Sequence, residues 1–149
     1  MLVCCFVLTL LQTPLNAMRQ TPNHAIIQQY RFGMRIESEW KVGSRWRMYA
    51  DGSLMDSGEI LESVSQQRLV LSWLNEWQPA FMAEGTSRCV YEIEPTGASA
   101  KLTLTHSIER PDSQFIKTVA ESWPMVISNL KSLLETGDVA VVYHRGHGD

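Results

Sequence analysis

His106 closes the run Leu-Thr-Leu-Thr-His, where strand alternation sets its imidazole on the same side as Leu102 and Leu104. An imidazole so placed suits donation to a bound ligand or proton transfer near neutral pH. Glu62 shares parity with Ile60 and Val64; turned inward, it would make an acid/base pair with His106. Tyr91 has a hydroxyl to offer a ligand oxygen. Each residue also has a purely structural reading. These are a core histidine satisfied by a backbone carbonyl, a solvated or ion-paired strand glutamate, and a tyrosine that packs its ring.

Other chemistries lack their usual scaffolds. There is no Gly-x-Ser-x-Gly, no P-loop and no Gly-x-Gly-x-x-Gly, so no activated serine, nucleotide or dinucleotide site is expected. His144, His147 and Asp149 lie in a Gly/His-rich tail without fixed geometry, so neither a metal site nor a cofactor is expected. Cys4, Cys5 and Cys89 are an odd set with no Cys-x-x-Cys spacing, which fits free thiols in a cytoplasmic, reducing compartment. The adjacent Cys4 and Cys5 read as strand packing. A net charge of −3 argues against nucleic acid as a partner. Arg31, Arg35, Lys41, Arg45 and Arg47 do cluster, but Glu37 and Glu39 interleave with them, as on the wet face of a hairpin.

The element that must position these groups is the stretch Ser122–Gly137. Trp123, Val126, Ile127, Leu130, Leu133 and Leu134 form one apolar stripe at helical spacing. Met125, Ser128, Asn129, Lys131, Ser132 and Glu135 fill the other side. The spacing predicts a helix capped by Ser122, with Pro124 in its first turn and Gly137 at its end.

Upstream, the period is mostly alternating. Strands are expected to Trp40, over Arg45–Tyr49, Leu54–Val64, Arg68–Leu74, Arg88–Glu94 and Lys101–Ile108. Asp51-Gly52 is the strongest hairpin signal. Two short helices are expected over Pro14–Gln20 and Pro22–Tyr30. Asn75–Ser87 is a long connection rich in apolar residues, which reads as a flap. Ahead of all this, Leu2–Leu11 is an apolar run. It has no positive flank and is too short to span a membrane, so a first strand is expected; the alternative is an exported chain with a signal peptide at residues 1–17.

The order predicts an α+β fold: a meander of about seven antiparallel strands curling around the long C-terminal helix. One domain over residues 1–137 and a tail over 138–149 are expected. Parity turns Trp40, Trp46, Met48, Trp73, Cys89, Tyr91, Ile93, Leu102, Leu104 and His106 to the concave side. Trp123, Val126, Ile127 and Leu130 face them. That inventory suits a small-molecule pocket, and equally a solid core.

Several strings, in order, resemble a known family. They are G-M-R-I-E-S-E-W-K-V-G-S-R-W from Gly33, G-E-I-L-E from Gly58, R-L-V-L-S-W from Arg68, L-T-L-T-H from Leu102 and W-P-M-V-I-S-N-L-K-S-L-L-E-T-G from Trp123. They look like the activator of Hsp90 ATPase homologue-like family of the START-like, helix-grip (SRPBCC) superfamily. The resemblance implies a helix-grip fold with a cavity between sheet and C-terminal helix, used for lipids, polyketides or other apolar molecules. On it, the expected ligand-binding residues are Trp40, Trp46, Met48, Trp73, Tyr91, Leu104, His106, Trp123, Ile127 and Leu130. It also implies two alternatives: co-regulation of an Hsp90-type chaperone ATPase, or cyclase- or hydrolase-like chemistry using His106 with Glu62 or Tyr91.

Overall fold

Seven strands form one antiparallel sheet in the order β1-β7-β6-β5-β4-β3-β2. The structure, a computed structural model, describes residues 1–11, 34–64 and 67–136. The two short helices expected between residues 14 and 30 and the tail beyond residue 137 lie outside the described residues.

Strand β1 (Leu2–Leu11) pairs with β7 (Ser99–Ile108) along its whole length, Leu2 opposite Ile108 and Leu11 opposite Ser99. The apolar run at the start of the chain is therefore a strand. Its β-rich composition allows it to offer Cys4 and Phe6 to the core while Val3 and Val7 stay exposed.

From β2 the chain is a meander. β2 (Arg35–Ser38) pairs with β3 (Arg45–Ala50), with Ile36 opposite Met48 and Ser38 opposite Trp46. The connecting turn closes when the Ser44 hydroxyl donates to the Lys41 carbonyl at 2.6 Å. The turn from β3 into β4 (Ser53–Val64) puts Asp51 at φ 50° and Gly52 at φ 79°, the pair of positive values that a type I′ hairpin requires. β5 (Arg68–Asn75) and β6 (Ser87–Thr96) continue the ladder into β7. Register shifts at Met48/Tyr49 and Ile60/Glu62 bend the sheet, since each bulge kinks its strand and adds twist. The described part of the basic cluster sits as its alternation implied, Arg31 lying outside it: Arg45 and Arg47 are exposed, and Arg35 pairs with Glu37 at 2.6 Å and lies over the Tyr49 ring.

The connection after β5 contains one short helix, α1 (Pro79–Met82), and is fixed rather than free. Phe81 packs against Phe115 at 5.7 Å between ring centroids, and Glu84 reaches the start of the last helix.

That last helix, α2 (Gln114–Thr136), corrects the sequence reading. It begins eight residues before the expected cap at Ser122, and Pro124 lies inside it. Ser113 is the real cap, its hydroxyl accepting the Ile116 N–H at 3.0 Å. The Glu84 carboxylate accepts the next two orphan donors, Gln114 N–H at 2.8 Å and Phe115 N–H at 3.3 Å, and also the Ser113 hydroxyl. An interior proline costs about 3 kcal/mol. The buried stripe of Phe115, Ile116, Trp123, Val126, Ile127 and Leu130 offsets it, at about 1.5–3 kcal/mol for each such side chain. Asn129, expected on the wet side, is fully buried.

Burial opposes ionisation of Glu84. The Ser113 hydroxyl, the two backbone N–H groups and nearby Arg110 nonetheless hold its carboxyl below the ordinary glutamate value of 4.5. A depressed folded value contributes stability above the unfolded value, and that contribution is lost as pH falls through the folded one. Glu84→Gln is expected to cost about 1–2 kcal/mol at pH 7 and to flatten the loss of stability below about pH 5. Urea unfolding at pH 7 and pH 4 checks both: a variant with an unchanged acid limb would contradict this role.

Candidate functional site

The inner face of the sheet is built from one side chain in two along β3–β7. Trp46, Met48, Trp73, Cys89, Leu104 and His106 are buried there, and Trp123 and Ile127 meet them from α2 in the same cluster. Leu130 is buried on the same stripe of α2, while Tyr91 and Trp40 pack against the cluster and remain partly open. All ten expected ligand-binding residues therefore belong to the interior between sheet and helix.

Aromatic rings dominate this interior. Trp73 sits 4.6 Å from Trp46, 5.4 Å from His106 and 5.8 Å from Trp123, between ring centroids. Tyr91 meets Trp123 edge-on at 6.2 Å. Such aromatic pairs add roughly 0.5–1.5 kcal/mol each beyond area burial. The backbone of α2 comes closest to β1 and β7, so these large rings reach across toward the rest of the sheet.

Polar groups within the interior hold the rings in place. Trp46 Nε1–H donates to the Ser72 carbonyl at 3.0 Å, passing over Gly58. Trp73 Nε1–H donates to Asp56 Oδ1 at 2.9 Å, and Asn75 Nδ2–H reaches the same oxygen at 3.2 Å. Trp123 Nε1–H donates to His106 Nδ1 at 3.1 Å. Sequence reasoning missed Asp56 and Ser87, although parity carried the signal. Asp56 alternates with Gly58 and Ile60, and Ser87 with Cys89 and Tyr91.

His106 has no solvent exposure, and both of its ring nitrogens are engaged. An indole N–H can only donate, so Nδ1 must carry the lone pair. Nε2 then carries the hydrogen and donates to Ser87 Oγ at 2.7 Å, while that hydroxyl donates to the Trp73 carbonyl at 3.1 Å. The imidazole in this chain is neutral and acts as a fixed strut between α2 and β5. Both ring nitrogens are taken up by these two bonds.

Glu62 is where the sequence reading fails. The bulge between Ile60 and Glu62 reverses the alternation, so its side chain lies on the outer face, 47% exposed. There it pairs with Arg68 at 3.2 Å and Arg88 at 3.5 Å. It is on the opposite side of the sheet from His106, and the acid/base pair is not assembled. Tyr91 is on the inner face, opposite Leu104.

Cys4 and Cys5 point to opposite faces, and all three cysteines are free. Burial pushes the Cys4 thiol up, toward the neutral and unreactive form. Among the described residues, no group of acidic, histidine or cysteine side chains could hold a metal ion, and no helix is long and apolar enough to cross a membrane.

Residues 22–135 match the family described as "Activator of Hsp90 ATPase homolog 1-like protein". No curated protein sequence matches the chain. Among solved structures, protein MLL2253 from Mesorhizobium loti superposes with a TM-score of 0.75 at 22% identity, over 93% of this chain and 100% of that one. The Aha1 dimer from Colwellia psychrerythraea gives 0.71 at 15% identity, over 92% and 98%. CalU16 from Micromonospora echinospora gives 0.65 at 18% identity, over 91% and 77%. These likenesses share the helix-grip fold.

Proposed function

We propose, since the chain belongs to the Activator of Hsp90 ATPase homolog 1-like protein family, that it binds a small apolar molecule between α2 and the inner face of the sheet. One observation carries the reading. Trp46, Trp73, Tyr91 and Trp123 cluster between α2 and the middle strands, while Tyr91, Ile93 and Trp40 keep part of their surface open. Wide aromatic walls with few polar groups, each held in place, suit a flat or extended apolar guest such as a lipid or polyketide.

Titration with N-phenyl-1-naphthylamine tests this. Its emission is expected to rise saturably on mixing with the folded protein and to stay flat with the urea-unfolded chain. No saturable rise with the folded protein would count against the reading.

A second reading is regulation of a chaperone ATPase, from the family description and the name of the Colwellia protein. Trp77 and Met82, both exposed on the β5–β6 connection, are large apolar side chains available to a protein partner. Stimulation of a chaperone ATPase that Trp77→Ala abolishes would favour it.

A further inference from the structure

Trp40 combines two unfavourable features at one residue. It follows β2 with φ at 59°, in the left-handed region that bulky side chains rarely hold. The Ser38 hydroxyl accepts its backbone N–H at 3.0 Å and fixes the turn. Its ring packs against the hydrophobic cluster, and its Nε1 is shielded from solvent with no hydrogen-bond partner among the described residues.

The other tryptophans make this unusual. The indole N–H groups of Trp46, Trp73 and Trp123 all donate to protein acceptors, and Trp77 stands in solvent. Asparagine or glycine would hold the turn with less strain, and phenylalanine would cover the core without an orphaned donor. Only a tryptophan brings an indole N–H to this place. A shielded donor left without an acceptor is costly, and in a folded protein it calls for an explanation.

We infer that Trp40 is a ligand-contact residue whose indole N–H donates to an oxygen acceptor on the apolar guest. This rests on the binding reading above and narrows it: the guest carries a carbonyl, carboxylate or ether oxygen on its apolar body. A pure hydrocarbon would leave the donor unsatisfied. The guest supplies the partner that Trp46 finds in Ser72 and Trp73 in Asp56.

The test compares naphthalene and 2-acetonaphthone, which share a ring system and differ by one acetyl group, on the wild type and Trp40→Phe by equilibrium dialysis. Trp40→Phe is expected to weaken ketone binding roughly tenfold more than it weakens naphthalene binding. Because the lost donor is unpaired in the free protein, the unliganded variant should melt at the same temperature or higher.

Equal weakening of both ligands would make Trp40 a packing residue only and overturn the inference. Unchanged ketone binding would overturn it too, as would a clear fall in the melting temperature of the free variant. Failure of the wild type to bind either compound would instead strike at the binding reading, and this inference would fall with it.

Discussion

Gly58→Ala is expected to yield a protein that is largely unfolded or insoluble at 37 °C. An added Cβ at Gly58 would lie 1.8 Å from the Ser72 carbonyl oxygen and 2.7 Å from Trp46 Nε1. Neither neighbour can yield. The carbonyl is backbone within β5, and the indole is held there by its bond to that same oxygen, with Trp46 only 1% exposed. The glycine is therefore a matter of space. Overpacking a well-filled core costs about 1–3 kcal/mol when side chains can shift, and more when backbone must move. A domain with roughly 5–15 kcal/mol in total has little margin for that. Urea unfolding, or soluble yield where the variant cannot be purified, measures the loss. Wild-type stability in Gly58→Ala would show that Trp46 does not cross over this position.

His106→Leu is expected to destabilise the fold by about 2–4 kcal/mol. The substitution leaves the Trp123 indole N–H buried without its acceptor and removes the donor to Ser87. An orphaned buried donor costs about 1–3 kcal/mol. Loss of the ring contacts to Trp73, Phe115 and Trp123 adds to that, at roughly 0.5–1.5 kcal/mol per aromatic pair. His106→Gln keeps a donor and an acceptor on one side chain and should recover part of the loss. Urea midpoints of the three proteins give the ordering wild type, Gln, Leu. Should both variants match the wild type in stability, the strut between α2 and β5 would be refuted, and a chemical role would again account for the residue best.

Much of this architecture was legible in the sequence because it rests on local pattern. Alternation located six strands from β2 to β7, and Asp51-Gly52 marked its hairpin because positive φ at two adjacent positions is a local demand. The same alternation brought Trp46, Trp73, Leu104 and His106 to one face, and helical spacing brought Trp123 and Ile127 opposite them.

What failed was non-local. The start of α2 depends on Glu84, a carboxylate 30 residues upstream of the Gln114 N–H that it accepts, so Pro124 was mistaken for a first-turn residue. Glu62 was misplaced because a bulge reverses parity, and no residue type announces a bulge. Asn129 was assigned to water by its polarity, whereas helix geometry buries it beside Leu130. The sequence also showed a histidine with inward parity, but not the indole and hydroxyl that occupy both of its nitrogens.

The most direct test of the central claim is the mass of the freshly purified protein under native and then denaturing conditions. Binding of an apolar guest predicts a discrete extra mass in the native spectrum that vanishes on denaturation, and whose elemental composition includes oxygen. A native mass equal to that of the bare chain, unchanged after incubation with excess naphthalene or 2-acetonaphthone, would contradict it. The aromatic interior would then be a solid core, and the exposed surface around Trp77 would become the place to look for function.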